Sequence, residues 1–361
     1  MPQMPDRRTM DTERLIDKLH RERALSGEEW VRIIDGRTPE TAEYLFGLAR
    51  EVRQAVYGRD VYIRGLIEFT NYCRNDCYYC GIRRSNPHVR RYRLTLDQIL
   101  DCCRRGYELG FRTFVLQGGE DSWFTDKRIV CLIQRIKAEF PDCALTLSIG
   151  EREHDSYQAF FDAGADRYLL RHETSCSEHY AKLHPPALSA AHRKSCLLDL
   201  KSIGYQVGAG FMVGSPFQET RHLAQDMLFL KELGPHMVGI GPFIPHRDTP
   251  FARERAGSLE LTLYMLGLLR LMLPDVLLPA TTALGSIRDG GRELGILAGA
   301  NVVMPNLSPR DHRKDYSLYD NKLNTGAESA EGLADLSRRV EQTGCHVAVC
   351  RGDWRPCPDQ E

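Results

Sequence analysis

Three cysteines crowd into the stretch "FTNYCRNDCYYCGIRR", residues 69–84, at a C-x3-C-x2-C spacing: Cys73, Cys77 and Cys80. Thiolates are nucleophiles and metal ligands. Three on one loop could supply most of a zinc site, completed by a fourth ligand or by water. They could also hold a four-iron cluster in which one iron stays open to an outside ligand. Spacing alone leaves zinc and iron both open, with three unligated thiols as the third reading.

Composition limits these choices. Lys plus Arg (48) nearly balances Asp plus Glu (49) over 361 residues, so no global field favours nucleic acid or an acidic membrane surface. The N-terminus "MPQMPDRRTMDTERL" lacks a signal peptide's apolar core, and no apolar run reaches the length that spans a bilayer, which points to the cytoplasm. In a reducing compartment the twelve cysteines are expected to be core residues, ligands or reactive thiols rather than disulfides. Nine of them are scattered, and only residues 73–80 form a cluster.

The elements that must position this loop read as α/β. Before it lie helix signals: Asp11 onward is amphipathic, "SGEEW" from Ser26 is a capping box with Glu29, and Thr38-Pro39 opens a helix running to about Tyr57. From residue 61, short apolar runs alternate with helical patterns. "VYIRGLIEF", "RTFVLQ", "ALTLSIG", "DRYLLR", "YQVGAGFMV", "HMVGIGPF", "DVLLPA" and "ANVVMP" are strand candidates beginning near 61, 112, 144, 166, 205, 236, 275 and 300. Helical patterns over Leu96–Leu109, Lys127–Phe140, Arg193–Ile203 and Arg221–Leu233 separate them.

This alternation predicts a (β/α)8 TIM-type barrel, with a doubly wound open sheet as the alternative. The expected organisation is an N-terminal helical segment (1–57), the barrel (58–323) and a C-terminal helix with an irregular tail (324–361). In the first strand Tyr62, Arg64, Leu66 and Glu68 face the barrel axis, and Thr146 and Ser148 share one face of "ALTLSIG". Charges there need a partner or a ligand. The cysteines follow strand one, on the rim where barrel enzymes place their chemistry.

With an aromatic, Tyr79, just before the last cysteine, the triad resembles the radical S-adenosylmethionine (SAM) superfamily. That resemblance implies a 4Fe-4S cluster on Cys73, Cys77 and Cys80, with the amino and carboxylate groups of SAM on the fourth iron. Gly118, Gly119 and Glu120 in "VLQGGED" resemble the element that receives the methionine amino group. Glu173 in "RHETS" is similar to the acid that contacts the SAM ribose, with Arg193 toward the SAM carboxylate. Met212 in "GAGFMVG" matches the segment that packs on adenine, although Phe217 stands where an acid is common.

The resemblance narrows over residues 10–323, through "FTNYCRNDCYYCGIRRSN", "RYRLT", "LTLSIGERE", "GIGPFIPHRDTP", "PATTALG", "GANVVMPNLSP" and "YSLYDNK", to the FeFe-hydrogenase maturase family HydE. It implies a monomeric enzyme that helps build the hydrogenase di-iron centre. Its substrate would be an iron-cysteine complex bearing carbon monoxide and cyanide, made by HydG, with the product passing toward HydF. An electron donor would feed reductive SAM cleavage, and the 5'-deoxyadenosyl radical would attack the sulfur of the iron-bound cysteine. Arg64, Thr146, Ser148, Arg171, Thr281, Thr282 and Tyr316 become candidates to hold that substrate.

Some relatives carry a second cluster after the "YSLYDNK" segment, where this chain has no cysteine. Cys345, Cys350 and Cys357 lie farther on at loose spacing, so a single cluster is expected. Competing readings are a methylornithine synthase-like radical mutase acting on lysine, a biotin synthase-like sulfur donor, and a non-enzymatic metal-binding assembly scaffold. The Gly-Gly-Glu and Glu173 elements argue against a scaffold, which needs no SAM site.

Overall fold

Capping chemistry sets the first elements. The structure, a computed structural model, describes residues 7–357. Helices α1 (Arg7–Glu22), α2 (Gly27–Asp35) and α3 (Pro39–Tyr57) occupy the segment expected to be helical. At α2 the Ser26 hydroxyl accepts the Glu29 N–H while the Glu29 carboxylate accepts the Ser26 N–H, the predicted reciprocal box. Pro39 sits in the first turn of α3, where a missing N–H costs nothing. α1 and α3 pack against Leu259–Met272, whose residues from Thr262 onward are all buried, while α2 packs against Thr220–Leu233.

Strand one splits into β1 (Asp60–Ile63) and β2 (Gly65–Thr70), with Arg64 at the break. Parallel pairing runs from β2 through Thr113–Gly118, Ala144–Ser148, Arg167–Leu169, Gln206–Ala209 and Met237–Val238. From there Met237 bridges Leu277, Pro279 bridges Val302, and Tyr62 and Leu66 bridge Val302 and Asn306. Backbone hydrogen bonds from Val238 to Leu277, Ala280 to Val302 and Leu66 to Pro305 close the circuit. The result is the expected (β/α)8 ring; the open-sheet alternative fails because strand one pairs on both edges. Helices Leu96–Glu108, Asp126–Glu139, Ala190–Ile203 and Thr220–Leu233 fall on the predicted helical patterns.

The tail is more ordered than its prolines suggest. After helix Leu333–Glu341, strand His346–Ala348 pairs parallel with β1 at Asp60–Tyr62. The chain then turns under the barrel. Gly352 adopts φ +56 directly against the Tyr62 ring, where an added Cβ would fall 2.7 Å from a ring carbon. Arg351 O accepts from Thr113 Oγ1 (2.6 Å) and Arg167 Nη2 (3.0 Å), and the Trp354 ring meets His236 edge-on.

Asp353 answers the buried Arg167 guanidinium at 2.5 Å and also pairs with Arg351 at 2.8 Å. Burial works against this carboxylate's charge, but Arg351 and Arg167 outweigh it and bring its pKa down to about 2. Among the described residues no helix is long and apolar enough to cross a membrane.

A carboxylate whose pKa is lower in the folded chain than in the unfolded one contributes stability above its unfolded value, and that contribution fades as pH falls toward the folded value. Asp353→Asn is therefore expected to lower Tm at pH 7. The difference from the parent should shrink between about pH 4 and pH 2, as read by thermal melts across that range. A Tm gap that persists unchanged at pH 2 would contradict the pairing.

Candidate active site

The loop bearing Cys73, Cys77 and Cys80 leaves β2 at the carboxyl rim and is tied down by backbone. Tyr78 N–H donates to Leu183 O (3.0 Å), Gly81 N–H to Leu318 O (2.8 Å) and Arg74 N–H to Glu120 O (2.9 Å). All three thiols are free and half-buried. Burial pushes each pKa up; for Cys77 and Cys80 the neighbouring cysteines push further, Cys80 to about 12. Three thiolates would therefore be costly to hold here without a positively charged partner.

Among the described residues no three His, Cys, Asp or Glu side chains converge on one point as ligands of a single metal ion do. One zinc ion draws its thiolates to about 2.3 Å. A four-iron cluster takes one thiolate per iron, so Cys73, Cys77 and Cys80 would serve three of its irons and leave the fourth open to another ligand.

Gly119 sets the loop's distance from the second barrel strand. A Cβ there would lie 2.2 Å from Tyr72 O and 2.7 Å from Cys73 Cβ. Next to it, Glu120 is buried, pairing with Arg74 Nε at 3.0 Å and accepting the Glu151 N–H at 3.0 Å. Gly150, at φ +79, leaves the space that the Glu120 side chain fills. Tyr79 Oη lies 3.1 Å from His184 Nε2. Burial takes the His184 pKa down to about 3, so the ring is neutral, with Nδ1–H toward Tyr180 O and Nε2 free to accept from Tyr79.

A cavity of ≈ 230 Å³ opens at this rim. Cys80, Tyr79, Arg171, Glu173, Met212, Thr281 and Thr282 line it, together with Glu68, Gln117, Tyr319 and Lys322. Glu173 holds φ +64, uncommon for a non-glycine residue and a mark of a functionally constrained position. Its Oε2 lies 3.1 Å from Arg171 Nη2, yet both atoms are buried without a hydrogen-bond partner among the described residues. A buried carboxylate and guanidinium left unsatisfied at a cavity wall are what a polar ligand would complete. By contrast, Glu68 is saturated, paired with Lys322 Nζ and accepting from Asn306 Nδ2 at 2.8 Å.

Several predicted site residues lie elsewhere. Arg64 and Thr146 line a separate floor cavity of ≈ 10 Å³, room for no more than one water. Arg64 precedes Cys73 by nine residues of largely extended chain, which carries it to the opposite end of the barrel from the rim. There it contacts Met237 Sδ (2.7 Å) and Gly352 O (3.5 Å). Ser148 and Tyr316 do not line the rim cavity either: Ser148 stands in register with Gln117, and the Gln117 amide points at Tyr316 Oη, 3.4 Å away. Arg193 is buried behind the wall, with Nε on Glu151 and Nη1 on Arg171 O at 3.0 Å.

Sequence reasoning did not single out Glu151, His184 or Lys322 as site residues. Lys322 closes the "YSLYDNK" segment, so its signal was present in a quoted motif. Glu151 likewise stands in the quoted "LTLSIGERE", whereas His184 carries no local pattern and is recruited only by the fold.

The comparisons with known proteins agree with this geometry. The model of the radical SAM superfamily matches residues 67–230. The [FeFe] hydrogenase maturase subunit HydE of Thermotoga maritima is 48% identical over 302 residues, covering 84% of this chain and 86% of that one. The chain belongs to the HydE family. It is a radical SAM enzyme, and that membership implies a 4Fe-4S cluster and SAM. Among solved structures, methylornithine synthase (PylB) superposes with TM-score 0.82 at 28% identity, covering 92% of this chain and 97% of that one. The hydrogenase maturase HydG shares the fold, with TM-score 0.79 at 18% identity, covering 95% of this chain and 77% of that one.

The Gly119 contact gives a direct test. Gly119→Ala is expected to displace Tyr72 and Cys73 and remove most of the iron bound after anaerobic reconstitution, while far-UV circular dichroism stays native. Full iron loading in that variant would show that the contact does not set the loop.

Proposed function

We propose that this chain matures the di-iron centre of an [FeFe]-hydrogenase, as a cytoplasmic, monomeric radical SAM enzyme acting on a cysteine-bound iron complex that carries carbon monoxide and cyanide. The observation that carries this reading is the shared cavity: Cys80 and the unsatisfied Arg171–Glu173 pair face the same ≈ 230 Å³ space. When bound, a 4Fe-4S cluster on Cys73, Cys77 and Cys80 together with SAM supplies one-electron cleavage of SAM to methionine and a 5'-deoxyadenosyl radical.

The chain's own residues bind, orient and exclude water. Glu173, held in its left-handed backbone, offers Oε2 to a ribose hydroxyl. Gly118 and Gly119 bring backbone close to the methionine end of SAM, and Glu120, oriented by Arg74 and the Glu151 N–H, serves its ammonium. Arg193, anchored by Glu151, supplies positive potential behind that end rather than a direct cavity contact. Met212 offers an apolar wall to adenine.

For the substrate's amino-acid end, Arg171, Thr281 and Thr282 stand at the cavity. Thr282 Oγ1 already donates to Glu328 Oε2 at 2.8 Å, which leaves its oxygen free to accept from an ammonium. Lys322 and Glu68 supply a fixed, paired charge at the same wall. An electron donor is required, and exchange with HydG and HydF follows from the family's role.

Turnover tests the reading. Anaerobic reconstituted protein with reductant and SAM is given either the iron-carbonyl-cyanide cysteine complex or lysine, with products read by mass spectrometry. Cleavage of SAM and a deoxyadenosyl-sulfur adduct with the complex alone is expected. Consumption of lysine would move the substrate assignment to the methylornithine synthase reading while leaving the SAM site intact.

We also propose a single cluster. Cys345 packs into the main core, Cys350 against a small apolar cluster at the barrel floor, and Cys357 is buried. Reconstituted protein should bind about four irons per chain, and Cys73→Ala almost none. About eight in the parent, half of them surviving Cys73→Ala, would reveal a second cluster.

A further inference from the structure

The loop from Asn71 to Arg93 carries an arginine that no carboxylate answers among the described residues. Arg83, Arg90 and Arg93 each face a carboxylate, of Asp76, Asp315 and Asp121 respectively. Arg91 has no carboxylate within 4.0 Å among the described residues. Its guanidinium is spent on main-chain carbonyls: Nη1 donates to Asn71 O (2.5 Å) and Ile82 O (2.8 Å), and Nη2 to Arg83 O (2.6 Å) and, more weakly, Asn86 O (3.5 Å).

Those acceptors bracket the cysteines. Asn71 lies two residues before Cys73, and Ile82 lies two residues after Cys80. One planar fork therefore ties the entry of the loop to its exit, a geometry that the point charge of lysine cannot reproduce. Asn71 reinforces the tie, since its Oδ1 accepts the Tyr92 N–H at 2.8 Å and its Nδ2 donates to Arg90 O at 2.9 Å.

We propose that Arg91 is a positioning residue for the cluster loop and a positive charge held at the two ends of that loop. Charge and location agree. The guanidinium sits on main-chain carbonyls two residues outside Cys73 and Cys80, one at each end of the thiol loop. A half-buried guanidinium without a carboxylate is unfavourable unless a counter-anion arrives. The loop's thiolates are that anion. A fixed cation beside a cluster also favours its reduced, more negative form, and so raises its reduction potential.

The proposal rests on the cluster reading above, and its test keeps the two apart. Parent, Arg91→Gln and Arg91→Lys proteins are reconstituted anaerobically. Iron and sulfide are counted, melting is followed, and the cluster is titrated against redox mediators with electron paramagnetic resonance as the readout. Arg91→Gln, which keeps donors but not charge, should show about a tenfold lower ratio of reduced to oxidised cluster at a fixed potential, equivalent to about 59 mV for one electron. Arg91→Lys, which keeps charge but not the fork, should hold the parent potential yet load iron incompletely.

Parent-like titration of Arg91→Gln overturns the inference. So does an Arg91→Lys protein that is folded and shifted as far as the glutamine variant, and this second arm decides the matter should Arg91→Gln not fold. Parent protein that binds no four-iron cluster would instead bring down the cluster reading, and this inference with it.

Discussion

Backbone contact too tight for any side chain governs the reactive end of this barrel. Gly119 at the exit of the second strand lies against Tyr72 O and Cys73 Cβ. The same junction is stitched by the Gly119 N–H to Thr70 O, by Thr70 Oγ1 to Asp121 Oδ2 at 2.8 Å, and by Arg93 to Asp121 at 2.6 Å. Asp121 is buried; burial alone would raise its pKa, but Arg93 and Thr70 outweigh that and lower it, so the junction stays charged and paired at neutral pH. A loop of three thiols would otherwise be free to wander. Here its first cysteine is fixed against Gly119, next to the buried Glu120 that pairs with Arg74 of the same loop.

The two ends of the barrel handle interior charge differently, and the difference separates architecture from chemistry. At the floor, Arg64 and Arg167 lie near each other in the core, and the tail answers with Asp353 and main-chain carbonyls. That end is closed by protein. At the rim, Glu68 is fully matched by Lys322 and Asn306, while Arg171 and Glu173 approach each other without a hydrogen bond. Buried polar groups are ordinarily satisfied, and this pair faces the ≈ 230 Å³ rim cavity, where a polar ligand has room to complete it. The tail, which seemed incidental in the sequence, is what turns a pair of like charges under the barrel into a stable floor.

Methylornithine synthase and HydG share this architecture with the chain, so the barrel by itself does not select a reaction. The positions around the cavity are brought together from parts of the chain far apart in sequence. Lys322 reaches Glu68 across 254 positions and Asn306 reaches it across 238.

The sequence by itself determined the elements and the cysteine loop. Short apolar runs placed each of the eight strands to within about two residues, because a parallel strand buried on both faces leaves a near-continuous apolar trace. Caps such as Ser26–Glu29 are local hydrogen bonds and can be read from neighbours. The triad, the Gly-Gly-Glu turn and Glu173 were legible because their chemistry is written in contiguous residues. What only the tertiary structure decided is which inward-facing side chains share a space. Alternation told that Arg64 and Glu68 face the axis, but not that 4 residues of strand carry one to the floor and leave the other at the rim. Nor could it pair Arg193 with Glu151, Glu68 with Lys322, or Asp353 with Arg167, since ion pairs carry no sequence signature until closure of the ring sets their distances.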